Sequence, residues 1–189
     1  MKSNNQGTLS KGLYKFLIAI VIIVIISSAV TYIVYENNYS SHPERAAVIP
    51  LSEMESITKD NLTLWITSQS NATYILAFYN LTKNNIVQGY IEVMSIFAPS
   101  SVGKLYANTT SLMYNESLVA VHEIEKTSNS TPSISMNIFR GFRYFIAIFS
   151  NDILMSAGYQ GRYFFYIYAN IKISDPQQLV QSEINIMSS

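Results

Sequence analysis

From Phe16 to Tyr35 the chain reads FLIAIVIIVIISSAVTYIVY, twenty residues without a charged side chain. An α-helix rises about 1.5 Å per residue, so a run of this length spans a hydrocarbon core of roughly 30 Å. A helix buried in a soluble core is usually shorter or carries a polar stripe. Here only Ser27, Ser28 and Thr31 interrupt the apolar run. Lys2, Lys11 and Lys15 precede it without any acid, whereas Glu36 and NNYSSHPE follow it. Basic flanks stay on the cytoplasmic side, so the order of charge predicts an inside N-terminus and places residues 36–189 outside. The net charge of +0 divides into +3 for residues 1–35 and 0 − 3 = −3 for the remainder. The expected organisation is a basic leader (1–12), a hydrophobic or transmembrane helix (13–35), a linker (36–45), an ectodomain (46–174) and a tail (175–189). The expected localisation is the cell membrane, with a single pass in contact with lipid.

Three fates of the hydrophobic segment remain open. It is retained as an anchor, or it is a secretory signal cut after Ala29, with Ser27 and Ala29 as the small residues. The third begins from Lys11-Gly12-Leu13, which stands directly before the run. This resembles the class III signal of archaeal type IV pilins and related surface proteins, over residues 11–35. That resemblance implies cleavage after Gly12, a new N-terminus at Leu13, a hydrophobic helix packed in a filament and a β-sandwich head. The chain as a whole is similar in style to envelope proteins of thermoacidophilic archaea: low in charge, without Cys and dense in glycosylation sequons. Few carboxylates suit acid, because protonating them changes the charge balance little.

Asn-X-Ser/Thr sequons stand at Asn38, Asn61, Asn71, Asn80, Asn108, Asn115 and Asn129. These seven compare with about three expected from composition, and all follow the hydrophobic run. They are candidate glycosylation sites in surface loops or at strand ends, since a glycan cannot be buried.

The ectodomain reads as strands. Asn61 to Ser68 alternates, and Ala72 to Tyr79 follows it across a Gln-Ser-Asn turn as a hairpin. Lys83-Asn84-Asn85 turns the chain before Ile86 to Phe97. Ser117 to Lys126 (SLVAVHEIEK) alternates again. Ser133 to Phe149 is too long for one straight strand, and Gly141 marks its bulge or bend. Asn151-Asp152 turns the chain, and Arg162 to Ser174 (RYFFYIYANIKIS) is the clearest strand, whose inner set is Tyr163, Phe165, Ile167, Ala169, Ile171 and Ile173. The pattern predicts an all-β, antiparallel, immunoglobulin-like sandwich. Residues 101–116 read as a loop with a helical turn. The tail is ambiguous: Asp175, Pro176 and Gln178 form a helix-start signal, but Ile184 and Ile186 alternate.

Chemistry is sparse. With 0 Cys and 2 His, thiolate zinc, disulfide and blue-copper sites are excluded. In the strand reading His122 faces away from Glu123 and Glu125, which form a solvated pair. No nucleophile elbow, P-loop or dinucleotide fingerprint occurs. The expectation is therefore no catalysis, no cofactor and no metal. A neutral charge balance likewise speaks against nucleic acid. The candidate interaction face is Phe164, Tyr166 and Tyr168, on the strand face opposite the inner set, with Arg140 and Arg143 as a neighbouring basic spot. The function expected is a glycosylated cell-surface protein acting through a protein partner or self-association. The rivals are a pilin-like filament subunit, a secreted or vesicle-associated toxin and an accessory subunit of a membrane complex.

Overall fold

Asn84 and Asn85 take φ of 54° and 61°, and Arg140 and Gly141 take 47° and 85°. Paired left-handed residues match the twist of the flanking strands, so each pair reverses the chain in two residues. The computed structural model describes residues 46–68, 74–97, 103–128 and 130–188. Among them the elements run α1 (Leu51–Thr58), β1 (Leu62–Ser68), β2 (Tyr74–Lys83), β3 (Ile86–Phe97), α2 (Gly103–Ser128), β4 (Ser133–Phe139), β5 (Phe142–Ile148), β6 (Leu154–Gln160), β7 (Tyr163–Ala169) and α3 (Pro176–Met187). Gly141 is thus half of a hairpin turn between β4 and β5, not a bend within one long strand.

The strand-rich, antiparallel character expected from the sequence is present. The division into two sheets is not: all seven strands form one sheet in the order β1-β2-β3-β7-β6-β5-β4. Helices occupy the place of a second sheet. On one face α1 and α3 enclose the main core. This core includes Ile49, Met54 and Ile57 at one end, Tyr79, Ile91, Phe165 and Ile167 on the sheet, and Leu179, Val180 and Ile184 on α3. Asp175 caps α3 by accepting the Gln178 N–H at 2.9 Å, and Pro176 opens the helix. Val180, Ile184 and Met187 are all buried, so the 3–4 spacing prevails over the local Ile184/Ile186 alternation.

The same face holds a buried acid. Glu183 is 0% exposed, and neither carboxyl oxygen has a partner in hydrogen-bond geometry. Burial pushes its carboxyl well above the ordinary range. The Ile49 backbone offsets part of that rise, and Glu53 adds to it. Tyr79 lies in the same region and donates its hydroxyl to the Ile49 carbonyl.

Two glycines are fixed by close approach. A Cβ on Gly89 would lie 2.3 Å from the Ile171 side chain, and one on Gly158 would lie 2.5 Å from the Phe165 ring. Gly89 sits where β7 runs out: the Tyr90 N–H donates to the Asn170 side-chain oxygen at 2.7 Å, and the Asn170 N–H to the Tyr90 carbonyl at 3.1 Å.

Helix α2 packs on the opposite face, mainly against β6 and β7. Its inward positions include Thr110 and Val121, both buried, and Tyr114, whose ring meets Phe145 at 5.7 Å and Tyr159 at 5.2 Å. Residues 117–126, expected as a strand, form the C-terminal half of this helix. Val119 and Val121 alternate in sequence, yet Val121 is buried and Val119 is 52% exposed on the outward side. The decisive period is the 3–4 spacing of Thr110, Tyr114, Ser117 and Val121, which begins in residues whose local pattern suggested a loop.

Candidate contact surface

The registers of β1, β2, β3 and β7 bring one set of side chains to the α2 face. Trp65 lies opposite Phe78, Phe78 opposite Glu92, and Glu92 opposite Tyr168. Alternation along each strand puts Tyr74, Leu76, Tyr90, Met94 and Tyr166 on this face too. Four rings form a continuous row across four strands. Trp65 and Phe78 are 5.5 Å apart between centroids, Phe78 and Tyr90 are 6.2 Å, and Tyr90 and Tyr168 are 5.7 Å. All three pairs are tilted, a favourable aromatic arrangement.

The row is unevenly open. Trp65 is 57% exposed, whereas Phe78, Tyr90 and Tyr168 are half-buried. On the far side of β7 the sheet carries the packing of α2.

Glu92 stands within this row, half-buried, and no ion pair to it exists among the described residues. Burial raises its carboxyl above the ordinary range. Its charge in turn helps to raise the hydroxyls of Tyr74, Tyr90, Tyr166 and Tyr168, each already raised chiefly by burial. The result is one carboxyl among four phenols on the face that carries the aromatic row. Such a surface can bury aromatic area, and its carboxyl accepts hydrogen bonds when ionised.

No family model, curated protein or solved structure matches this chain. The functional reading therefore rests on the residues themselves.

Of the three residues proposed from the sequence as a contact face, Phe164 does not reach the surface. It is 1% exposed, in register with Ile96 on β3 and Tyr159 on β6. Tyr166 and Tyr168 are half-buried, and Tyr168 belongs to the row. The sequence missed Trp65, Phe78, Tyr90 and Glu92. Each sits at an alternating position of its strand, but only the cross-strand register joins them. Arg140 projects at the β4–β5 turn, 5.9 Å from the Phe139 ring centre, and Arg143 is exposed on β5. They do not adjoin the row.

His122 and Glu125 face each other one helical turn apart at 3.4 Å, and Lys126 pairs with Glu123 at 2.8 Å. These are exposed contacts of a solvated helix side. Among the described residues no His, Cys, Asp or Glu cluster could hold a metal ion.

Asn61, Asn108 and Asn115 are exposed, the last two on α2 rather than in loops or at strand ends. Asn80 is half-buried within β2. Asn38, Asn71 and Asn129, together with Gly12, Leu13 and the hydrophobic run, lie outside the described residues. Among the described residues no helix is long and apolar enough to cross a membrane.

Proposed function

We infer that residues 16–35 hold the chain in a membrane and that the domain beyond them acts at the cell surface by protein contact. The contact surface is the row Trp65–Phe78–Tyr90–Tyr168 with Glu92 at its centre. The carrying observation is the row's continuity across four strands, with Trp65 left 57% exposed at its end. Aromatic side chains dominate interface hot spots because they bury large areas at low entropic cost. The partner that fits is a weakly charged protein surface with apolar side chains and a hydrogen-bond donor facing Glu92. Exposed sequons at Asn61, Asn108 and Asn115 support placement outside the cell.

A photo-crosslinking side chain at position 65 of the full chain, in native membranes, tests the reading. The expected result is a discrete protein adduct that Tyr168→Ser weakens, since a hot-spot aromatic contributes about 2 kcal/mol or more to binding. The same crosslinker at Leu112, also 57% exposed but on α2, should give no such adduct. Identical products from both positions would overturn the contact surface. Protease protection of residues 46–188 in right-side-out vesicles would overturn the orientation.

A further inference from the structure

The sheet ends at β4, whose outer edge has no partner among the described residues. An edge strand presents a row of unpaired N–H and C=O groups, and proteins usually guard it with Lys, Pro, a bulge or a covering element. The sequence Ser133-Ile-Ser-Met-Asn-Ile-Phe139 contains no charged residue and no proline. Its pairing with β5 is regular over all seven positions, without a bulge. Met136 and Ile138 are 66% and 71% exposed, higher than the other exposed large apolar side chains among the described residues.

The strand is also complementary to itself. In an antiparallel pair centred on Met136, Met136 meets its own copy, Ile134 meets Ile138, Ser135 meets Asn137, and Ser133 meets Phe139. Apolar residues meet across the α2-side face, and no like charges oppose each other. We propose that β4 pairs with β4 of a second copy of this chain, joining two seven-stranded sheets into one across a two-fold axis. The isologous geometry follows from the strand's near-palindromic alternation. A single strand pair is smaller than the roughly 1,200–2,000 Å² of a specific, stable interface, so the association depends on concentration. This inference is independent of the membrane reading and of the aromatic row, since both lie on other residues.

The chain has 0 Cys, which makes single-cysteine variants of the full chain clean reporters. Opposed residues of an antiparallel pair lie about 4.5–5.5 Å apart at Cα, within disulfide reach. Met136→Cys and Val119→Cys, the latter on the outer side of α2, are oxidised in parallel in detergent. Met136→Cys is expected to form disulfide dimers about tenfold faster or more, a factor that corresponds to about 1.4 kcal/mol. Adding Ile138→Lys to Met136→Cys should bring the rate down to that of Val119→Cys. Equal rates for the two single variants, or a Met136→Cys rate unchanged by Ile138→Lys, would overturn the proposal. Should Ile138→Lys lower the unfolding midpoint, the comparison of the two single variants decides alone.

Discussion

Glu183→Gln should make the domain less sensitive to pH between about 4.5 and neutrality, so that its stability relative to the parent rises with pH. In the folded chain the Glu183 carboxyl is fully enclosed and its affinity for the proton is raised well above the ordinary value of 4.5. In the unfolded chain it titrates normally. The folded state therefore holds the proton more tightly. The stabilisation is complete below pH 4.5 and drains away as pH rises toward the folded value. For one proton the loss is about 1.4 kcal/mol for each pH unit of that rise, against a typical domain stability of about 5–15 kcal/mol. Gln keeps the shape and remains neutral, but leaves an amide where the acid had no good partner, at about 1–3 kcal/mol whatever the pH. The measurement is chemical denaturation of parent and variant at half-unit steps from pH 4 to 7.5. Glu92, also raised by burial, adds to the slope in both proteins and cancels in the difference. Parallel stability curves for parent and variant would refute the reasoning, as would a difference that favours the parent increasingly at higher pH.

Gly158→Ala places a methyl group 2.5 Å from Phe165 and 2.8 Å from the Tyr144 Cβ, and should destabilise the domain by about 1–3 kcal/mol in urea unfolding. Asp175→Ala removes the cap of α3, with an expected loss of about 1 kcal/mol in the same assay. Mass spectrometry of the native protein should find glycan on Asn61, Asn108 or Asn115 and an unmodified Asn80, whose side chain is half-buried in β2. N-terminal sequencing should separate the three fates of the leader: a start at Leu13 for pilin-type cleavage, at Val30 for a secretory cut, and retained Lys2 for an anchor.

Turn chemistry carried most of what was legible in the sequence. Asn84-Asn85 and Asp175-Pro176 act locally, and each residue's own backbone preference specifies a reversal or a helix start. Two larger features were hidden for physical reasons. In β7 both faces are apolar, and a strand covered by helices on both sides reads like one inside a sandwich. Alternation reveals burial without revealing what does the burying. In α2, the short run Val119-Ala120-Val121 satisfies a strand period as well as a helical one. Only the inward series from Thr110 to Val121 breaks the tie, and it is spread over about three turns among Asn, Ser and Thr. The contact row was concealed more deeply. Trp65 and Tyr168 are brought into one line by three separate strand registers, each set by hairpin geometry or by the β3–β7 pairing.

The place of β7 has a consequence for how the chain is made. The strand that completes the centre of the sheet is the last to be synthesised, and it seals β3 against β6. Until residues 163–169 emerge, two separate meanders each carry an open inner edge. From Phe97 to Tyr163 the ribosome adds 66 residues (163 − 97). At about 5–20 residues per second, β3 waits roughly 3–13 seconds for its neighbour. Throughout that interval the Ile-, Val- and Met-rich inner edge of β3 faces the surroundings as an unfinished seam. A stop between Phe97 and Tyr163 leaves the seam open permanently, so such truncated chains should aggregate through β3 rather than through either outer edge of the finished sheet.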